Sequence, residues 1–581
     1  MKVPEKYQKA GFTMTNLGLV VALHLGLAAA FVGCARQAEI LPRDYAPVEA
    51  KLIEEVSIEQ PPAPPPPMQQ QPLSSIIYNE TGVMPMASQR PGSLPGGPDG
   101  GLEAGTAMFP EQGANRSALV AEQPVSTFSI DVDTASYSFV RRSLTEGAMP
   151  PVQAVRVEEM INYFPYQYTA PTTREQPIAV VTEVMPSPWK SGNQLVHIAI
   201  KGYEMPAAQR PPINTVLLID ISGSMGSLDR LPLLQQGFRL FAEQLRDNDR
   251  VSIVTYATGT AVLLEPTAGN QKHKILEAIA SLGAGGGTAG GEGLERAYAM
   301  AQKNFDPQSV NRVILATDGD FNLGISDPTQ LEAFIAAKRK SGVYLSILGV
   351  GADNLNDRLI QRLAQAGNGN ASFIDTLPEA RKALSGDLGS NMFPIANDVK
   401  VQVEFNPDVV AMYRLVGYET RMLARQDFKD DRVDAGDMGA GHAVTAIYEI
   451  TPADAASELP DPLRYAKAQQ ARGAVPTAAR SKDEVCFVKL RYKLPGESTS
   501  RLMEHVVHAS AARKSIDAVP AEQRFAVAVA AFGQRVRGEK ELGDFSYRQI
   551  ASLAEASRGV DPQGYRSEFV KLVRTADRLA P

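Results

Sequence analysis

Cysteine is nearly absent from this 581-residue chain, which contains only Cys34 and Cys486. Two cysteines cannot build a scaffold of several disulfides, so the fold must depend on apolar cores. Long runs of Lys and Arg are also absent, and the formal net charge is −7. Because the chain lacks the basic surface of a nucleic-acid-binding protein, we expect no nucleic-acid partner. The length predicts about two to four domains.

Long hydrophobic runs are missing as well, with one short exception near the N-terminus. Residues 17–32 are uncharged and apolar, and they follow the basic segment 1–9. A run of sixteen residues is short for a membrane span but typical of a secretory signal. Residues 1–33 carry a net charge of +2, so their removal would leave a chain of −9. We therefore predict a signal peptide at 1–33.

The apolar run ends in Phe-Val-Gly directly before Cys34, which resembles the lipobox of bacterial lipoproteins, although Phe31 stands where Leu is usual. This resemblance implies cleavage before Cys34 and acylation of its thiol, for example with palmitate. Ala35 follows, and not the Asp that usually retains lipoproteins in the inner membrane, so the resemblance implies an outer-membrane lipoprotein where the host has two membranes. The alternative is an ordinary secretory signal in which Cys34 plays no part.

Residues 34–123 show no sustained hydrophobic period and include the segments PPAPPPPMQQQP and RPGSLPGGPDGG. Such a composition buries too little apolar surface to fold, so we predict a disordered tether that spans on the order of 50 Å. The rest of the chain divides by pattern into a small α+β segment at 124–211, an α/β domain at 212–395, and a β-rich and then helical region at 396–581.

The α/β domain alternates predicted strands with predicted helices. The strands VLLID, RVILAT and VYLSILGV are apolar without alternation, as in strands that helices cover on both faces. We therefore predict a doubly wound, mostly parallel sheet that binds ligands beyond the carboxyl ends of its strands. The predicted strands are 215–220, 251–256, 312–317, 343–349 and 371–375, and the predicted helices are 231–246, 272–282, 291–305, 328–340 and 355–366.

The flanking regions have the pattern of half-buried strands. Residues 195–201 alternate between apolar and polar residues, which places His197 on a solvent-facing side. Similar alternation after residue 398 predicts an antiparallel sheet or sandwich, with Cys486 as a small core residue. Residues 453–482 are Ala-rich and predict an exposed insertion, and helices follow from residue 520.

Oxygen-bearing side chains collect where the strands of the α/β domain end. Asp220, Ser222 and Ser224 follow the first strand in the segment DISGS, and Asp318 follows the strand at 312–317. A glycine-rich loop, GAGGGTAGGEG, offers Thr288. Because strand ends meet at one edge of a parallel sheet, we expect these groups to share a crevice. Carboxylates and hydroxyls are hard ligands of the kind that Mg²⁺ or Mn²⁺ prefers.

These three parts, in this order, resemble the metal-ion-dependent adhesion site of the von Willebrand factor type A (VWA) domain. The resemblance implies that Ser222, Ser224 and Thr288 ligate the cation directly, whereas Asp220 and Asp318 act mostly through water. The cation, Mg²⁺ or alternatively Mn²⁺ or Ca²⁺, would keep an open position for a Glu or Asp of a protein partner. The segments TFSIDVDTASYSFVRRSL and VRVEEMINYFPY, with the region after 398, resemble YfbK-type bacterial VWA lipoproteins.

Other chemistries fit the sequence less well. Gly285, Gly287 and Gly290 satisfy the spacing GxGxxG but follow a helical pattern, so we expect no nucleotide. Ser224 lacks the GxSxG context of a hydrolase, and the pair His505 and His508 lacks the HExxH pattern of zinc proteases. The sequence leaves three alternatives: a cation-dependent binding protein, a metal-assisted hydrolase in the same crevice, and a structural protein with a vestigial site.

Overall fold

The computed structural model describes residues 113–130, 133–287, 292–319, 327–351, 356–387, 392–455 and 481–580. The predicted signal peptide, Cys34 and most of the predicted tether lie outside these residues, as does most of the Ala-rich segment after 453. Within the described ranges, no helix has both the length and the apolar character needed to cross a membrane.

The central α/β domain contains a six-stranded sheet in the order β10-β9-β8-β5-β6-β7. All neighbouring strands are parallel except β7, which runs antiparallel to β6. Its strands are β5 (Ile213–Asp220), β6 (Arg250–Tyr256), β7 (Thr260–Ala268), β8 (Val310–Thr317), β9 (Val343–Val350) and β10 (Ala371–Ile374). Its helices are α3 (Leu231–Gln244), α4 (Lys272–Ala280), α5 (Gly293–Lys303), α6 (Pro328–Lys340), α7 (Asp357–Ala366) and α8 (Leu377–Arg381).

The segments before and after this domain form two shared antiparallel sheets. One has the order β1-β12-β14-β4-β3, and the other has β13-β11-β15-β16 with β2 paired to β11. The N-terminal strands are β1 (Ala118–Leu119), β2 (Val125–Ser129), β3 (Ile178–Pro186) and β4 (Gln194–Gly202). The C-terminal strands are β11 (Pro394–Phe405), β12 (Val410–Leu415), β13 (Gly436–Gly439), β14 (Ala443–Pro452), β15 (Glu484–Lys493) and β16 (Arg501–His508).

Helices from both ends of the folded chain pack together. α1 (Ala135–Thr145) and α2 (Val157–Asn162) precede the α/β domain, whereas α9 (Ala521–Val536), α10 (Tyr547–Ala556) and α11 (Tyr565–Leu579) end the chain. Their apolar side chains form one core with one face of the first antiparallel sheet. The opposite face of that sheet belongs to a second core, shared with the other sheet and with one side of the α/β domain.

Because both faces of the first antiparallel sheet are covered, one prediction from the sequence is wrong. His197 on β4 is fully buried and not solvent-facing, because the side of the sheet that the alternation assigns to water is covered by the helices. Its imidazole contacts the Tyr168 hydroxyl at 3.1 Å. Burial lowers the pKa of His197 to about 3, so the ring is neutral. The prediction that Cys486 is a core residue is confirmed by its buried thiol.

The predicted strands and helices of the α/β domain all occur, with ends that shift by a few residues. The strand–helix pattern does not reveal two elements, the short helix α8 and the antiparallel edge strand β7. Its exposed and buried residues alternate only in part, and Pro266 interrupts its apolar residues. Proline is tolerated in an edge strand because one side of the strand needs no partner.

Candidate metal centre

Two carboxylates meet where neighbouring parallel strands end. β5 pairs with β8 so that Ile219 lies beside Ala316. Asp220 is the last residue of β5, and Asp318 follows the last residue of β8. Both side chains are almost completely buried, with relative exposures of 0% and 1%. The sheet register therefore brings together the two acids that the sequence singled out.

The two predicted serines lie in the turn that leaves β5. The backbone N–H of Ser222 donates to Oδ1 of Asp220 at 2.8 Å, which folds the turn back over the carboxylate. The hydroxyl oxygens of Ser222 and Ser224 are 3.1 Å apart. The turn continues as a short 3₁₀ helix over Gly223–Gly226. Two hydroxyls and one carboxylate thus come from five consecutive residues.

The glycine-rich loop approaches this turn directly. Thr288 lies outside the described residues, but the loop can be followed as far as Gly287. The N–H of Gly285 donates to the carbonyl of Ile221 at 2.8 Å, and the N–H of Gly223 donates to the carbonyl of Gly286 at 3.0 Å. Gly286 has φ +85°, and a Cβ there would lie 2.6 Å from the Thr258 hydroxyl. Glycine is therefore needed for the loop to reach the turn.

The site leaves two buried carboxylate oxygens without a partner. Among the described residues, neither Oδ2 of Asp220 nor Oδ1 of Asp318 has a hydrogen bond. Burial raises the pKa of Asp220, and the nearby Asp318 raises it further, while the hydrogen bonds from Ser222 lower it. Unpaired buried oxygens beside two hydroxyls suit a small, hard cation, which would compensate their desolvation. The donor set therefore fits Mg²⁺ or Mn²⁺.

This donor set differs from a metal site formed by a cluster of His, Cys, Asp or Glu side chains. No group of three or more His, Cys, Asp or Glu side chains comes together in the part of the chain that the structure describes. Such a group would be typical of zinc or of a carboxylate-rich calcium site. Here the available ligands are two carboxylates and two hydroxyls, all of which are oxygen donors.

Arg230 is a member of this site that the sequence reasoning missed. Its Nη1 donates to Oδ2 of Asp318 at 2.7 Å and to the carbonyl of Ser224 at 3.0 Å. The side chain lies over the backbone of Gly351, where a Cβ would be 2.4 Å from Nε. A sequence signal exists, because Arg230 is the only basic residue between Asp220 and Leu231.

Tyr256, the last residue of β6, is a second missed member. Its side chain is fully buried, and its backbone carbonyl accepts a hydrogen bond from the N–H of Ile221 at 3.0 Å. Burial raises the pKa of the phenol well above its ordinary value, and the charge of Asp220 raises it further. The neutral hydroxyl of Tyr256 is therefore a further polar group close to Asp220.

The histidines that the sequence set aside lie away from this centre. His505 contacts the Thr182 hydroxyl at 3.0 Å across the two antiparallel sheets. His508 lies 3.1 Å from the carboxylate of Asp483, in an exposed turn that also holds Ser510. Neither contact resembles a metal site with a second histidine.

Comparison with known proteins agrees with this architecture. Residues 103–197 match the family described as von Willebrand factor, and residues 215–320 match the von Willebrand factor type A domain. Residues 390–579 match the family described as uncharacterized protein YfbK, C-terminal. The central match contains Asp220, both serines, Thr288 and Asp318.

Individual relatives show the same likeness. The uncharacterized protein YfbK of Escherichia coli (strain K12) is 42% identical over 479 residues, which cover 81% of each chain. The uncharacterized protein sll0103 of Synechocystis sp. is 29% identical over 172 residues, or 30% of this chain and 40% of that relative. Among solved structures, a von Willebrand factor type A protein from Catenulispora acidiphila is 18% identical, with a TM-score of 0.38 and coverage of 68% and 89%.

The alignment with the Escherichia coli relative covers 81% of each chain, so it covers more than the VWA domain alone, and the YfbK C-terminal family matches residues 390–579. On these grounds the chain belongs to the YfbK family of VWA-domain proteins.

Proposed function

We propose that this protein binds a protein partner through a divalent cation held by Asp220, Ser222, Ser224, Thr288 and Asp318. The observation that carries the proposal is the pair of buried carboxylate oxygens without partners, one on Asp220 and one on Asp318, next to a turn whose two serine hydroxyls lie 3.1 Å apart. Such a pair is costly to keep in the folded state unless a cation compensates it. A bound Mg²⁺ would supply positive charge to an acidic group from outside the chain.

Binding is favoured over catalysis because the described residues around the two acids offer no general base. The groups that interact with them are the guanidinium of Arg230 and the phenol of Tyr256, whose pKa is raised well above its ordinary value by burial. Neither can accept a proton from water at neutral pH. The hydroxyls and carboxylates that remain are the proposed ligands themselves. A hydrolase would need a further residue at this edge of the sheet.

We further propose that the domain is presented to its partner from a membrane. Acylated Cys34 would anchor the chain, and the proline-rich segment that follows would lift the folded part away from the lipid surface. The lipobox-like sequence before Cys34 and the length of that segment support this proposal. The favoured location is the outer membrane of a host with two membranes.

The first test asks whether the site binds Mg²⁺. The full-length chain is titrated with Mg²⁺ by isothermal titration calorimetry after treatment with EDTA, as wild type and as Asp220→Asn. Asn keeps the oxygen that accepts from the N–H of Ser222 but removes the charge. We expect saturable binding in the wild type and at least tenfold weaker binding in the variant. Equal binding in both proteins would refute the assignment of Asp220.

A matched control comes from the same loop. Asp229 is also an acid beside the site, but its carboxylate accepts from the hydroxyl of Ser227 at 2.7 Å and from Arg142 at 3.2 Å. Asp229→Asn should therefore leave Mg²⁺ binding unchanged. If both variants lose binding equally, the effect comes from the overall charge of the loop and not from a built site.

The second test addresses the partner. Envelope extract is passed over immobilised wild type and Asp220→Asn, each with Mg²⁺ or with EDTA. A protein retained by the wild type with Mg²⁺ alone, and lost when one of its own Glu or Asp residues is changed to Ala, would support the proposal. Mg²⁺-dependent turnover of a phosphoester or peptide panel that disappears in Asp220→Asn would instead establish the hydrolase.

A further inference from the structure

Tyr256 lies beside Asp220 in the sheet of the α/β domain. It is the last residue of β6, and the parallel pairing of β5 with β6 places Asp220 and Tyr256 in register. Side chains of residues in register project from the same face of a sheet, so the phenol and the carboxylate lie on one side of it. The backbone carbonyl of Tyr256 also accepts from the N–H of Ile221 at 3.0 Å, which ties the end of β6 to the turn that carries the serines.

The ring of Tyr256 is held tightly in place. The residue is fully buried in the core on this side of the sheet. Gly293, the first residue of α5, lies so close to it that a Cβ on the glycine would be 3.2 Å from Cβ and 3.3 Å from Cγ of the tyrosine. Because a side chain packed in this way has little freedom to change its rotamer, the hydroxyl keeps its position beside the site.

The hydroxyl of Tyr256 lies among the polar groups of the cation site and still lacks a partner. Burial raises the pKa of the phenol, the charge of Asp220 raises it further, and the hydroxyl of Thr317 lowers it, so these side chains are close. The phenol oxygen nevertheless has no hydrogen bond of normal distance and angle to any described residue, and Oδ2 of Asp220 has none either. A buried polar atom without a partner costs free energy, so two of them on neighbouring strands indicate a missing group.

A water molecule that belongs to a bound cation would satisfy both atoms. Water held by a cation can donate both of its O–H groups, and a carboxylate oxygen and a phenol oxygen can each accept one. Mg²⁺ usually keeps several of its water molecules in protein sites because it loses them reluctantly. Side chains that hold such water change the affinity of a site for the metal although they do not touch the metal.

We propose that Tyr256 is a positioning residue of the cation site, and that its hydroxyl and Oδ2 of Asp220 together hold one water molecule of the hydrated cation. This inference rests on the cation site proposed above and adds to it a residue that is not a ligand. Removal of the hydroxyl should therefore weaken cation binding although every ligand and every charge of the site remains.

A tyrosine that serves only the fold would respond differently to the same change. If the hydroxyl stabilised the folded chain, Tyr256→Phe would lower Tm whether or not a cation is bound. If the hydroxyl holds the water of the cation, Tyr256→Phe removes a buried polar atom that has no partner in EDTA. The Tm of the variant in EDTA should then equal or exceed that of the wild type, while its response to Mg²⁺ should be smaller.

Tyr298 on α5 provides the matched control. It is fully buried in the same core as Tyr256, and its hydroxyl also lacks a hydrogen bond to any described residue. Burial raises the pKa of this phenol too, but the charge that acts on it is that of Arg312 and not that of an acid of the site. Tyr298→Phe therefore removes the same atom from the same core, away from the two carboxylates.

The test compares the full-length wild type with Tyr256→Phe, Tyr298→Phe and Asp220→Asn. Each protein is treated with EDTA, its Tm is measured, and it is then titrated with Mg²⁺ by calorimetry. We expect Tyr256→Phe to bind Mg²⁺ about tenfold more weakly than the wild type, and Tyr298→Phe to bind it equally well. A near-ultraviolet difference spectrum with saturating Mg²⁺ should show a tyrosine band in the wild type and in Tyr298→Phe, and no such band in Tyr256→Phe.

The outcomes separate this inference from the proposed function. Equal Mg²⁺ affinity of wild type and Tyr256→Phe, together with weak binding by Asp220→Asn, would overturn the role of Tyr256 and leave the cation site standing. No binding by the wild type would overturn both. Weaker binding by Tyr256→Phe with a lower Tm in EDTA than that of Tyr298→Phe would make the hydroxyl a structural group and also refute the inference. If Tyr256→Phe does not fold, a wild-type spectrum without a tyrosine band on Mg²⁺ binding decides against it.

Discussion

Arg230 and a bound cation should compete for the same carboxylate, and this competition can be measured. The guanidinium donates to Oδ2 of Asp318 at 2.7 Å, and the two side chains are only 11% and 0% exposed. Removing one partner of a buried ion pair costs about 3–5 kcal/mol. Because Arg230 is partly exposed, we expect the free energy of unfolding of Arg230→Met to fall by about 3 kcal/mol in EDTA.

Added Mg²⁺ should reverse part of this loss. Without the guanidinium, Asp220 and Asp318 present two negative charges to the cation and no positive charge, so Mg²⁺ should bind about tenfold tighter. Tenfold in affinity corresponds to about 1.4 kcal/mol of extra stabilisation at saturating Mg²⁺, since the ligand binds only the folded state. The prediction is therefore a less stable protein in EDTA that gains more from Mg²⁺ than the wild type does.

Urea unfolding in EDTA and in excess Mg²⁺ measures both quantities on the same samples. Arg142→Met serves as the control, because Arg142 also holds an acid of this loop, Asp229 at 3.2 Å, but with side-chain exposures of 22% and 38%. It should change stability by no more than about 1 kcal/mol and leave the Mg²⁺ response unchanged. An identical Mg²⁺ response in wild type and Arg230→Met would refute competition for Asp318.

Three further predictions concern other parts of the chain. Burial, with the charge of Glu419, raises the pKa of Glu158 from its ordinary 4.5 to about 7. Because this carboxyl pKa is raised in the folded state, the stability of the wild type falls as pH rises from the unfolded-state pKa to the folded-state pKa. Glu158→Gln should therefore be more stable than the wild type by about 2–3 kcal/mol near pH 8 and equal to it at about pH 4, as urea unfolding at both pH values would show. A difference in stability that does not change with pH would exclude the ionisation of Glu158 as its cause. Gly351 has φ +71°, and a Cβ at this position would lie 2.4 Å from Nε of Arg230. Gly351→Ala should therefore lower Tm and increase the stabilisation by Mg²⁺, as Arg230→Met does. A lower Tm with an unchanged Mg²⁺ response would mean that the substitution only strains the backbone. Cys34→Ser should abolish palmitate labelling and move the protein from the membrane to the soluble fraction; unchanged labelling would rule out this acylation site.

The α/β domain could be predicted well because its signals are local. Helix α6 begins and ends at the predicted residues, 328 and 340, and β5 ends at Asp220 as predicted. Each strand is a short apolar run bounded by a turn, and in a parallel sheet the strand ends share one edge. The proximity of Asp220 and Asp318 therefore follows from the sequence pattern together with one rule of topology.

The flanking regions could not be predicted to the same depth because their pairing is distant along the chain. β2 pairs with β11, so that Thr127 lies beside Gln402, and β4 pairs with β14, so that His197 lies beside Ile447. No turn or spacing connects such partners, and a hydrophobic pattern states only that one face is buried. His197 was misassigned for this reason, since three of the helices in the core that covers it, α9 to α11, begin more than 300 residues later.

The role of Arg230 could not be predicted for a different reason, because it depends on a contact in the folded chain and not on a sequence pattern. It lies ten residues after Asp220, in a loop where a basic residue is usually solvated, and its place in the sequence does not identify Asp318 as its partner. The structure provides two reasons for the contact: the 3₁₀ turn redirects the chain before α3, and Gly351 leaves space for the guanidinium at the end of β9. An apolar residue at position 230 would leave Asp318 and Asp220 to the cation alone. If the proposed cation binds, the arginine would set how strongly the fold depends on it, so substitution of Arg230 tests the proposed site more sharply than removal of a ligand does.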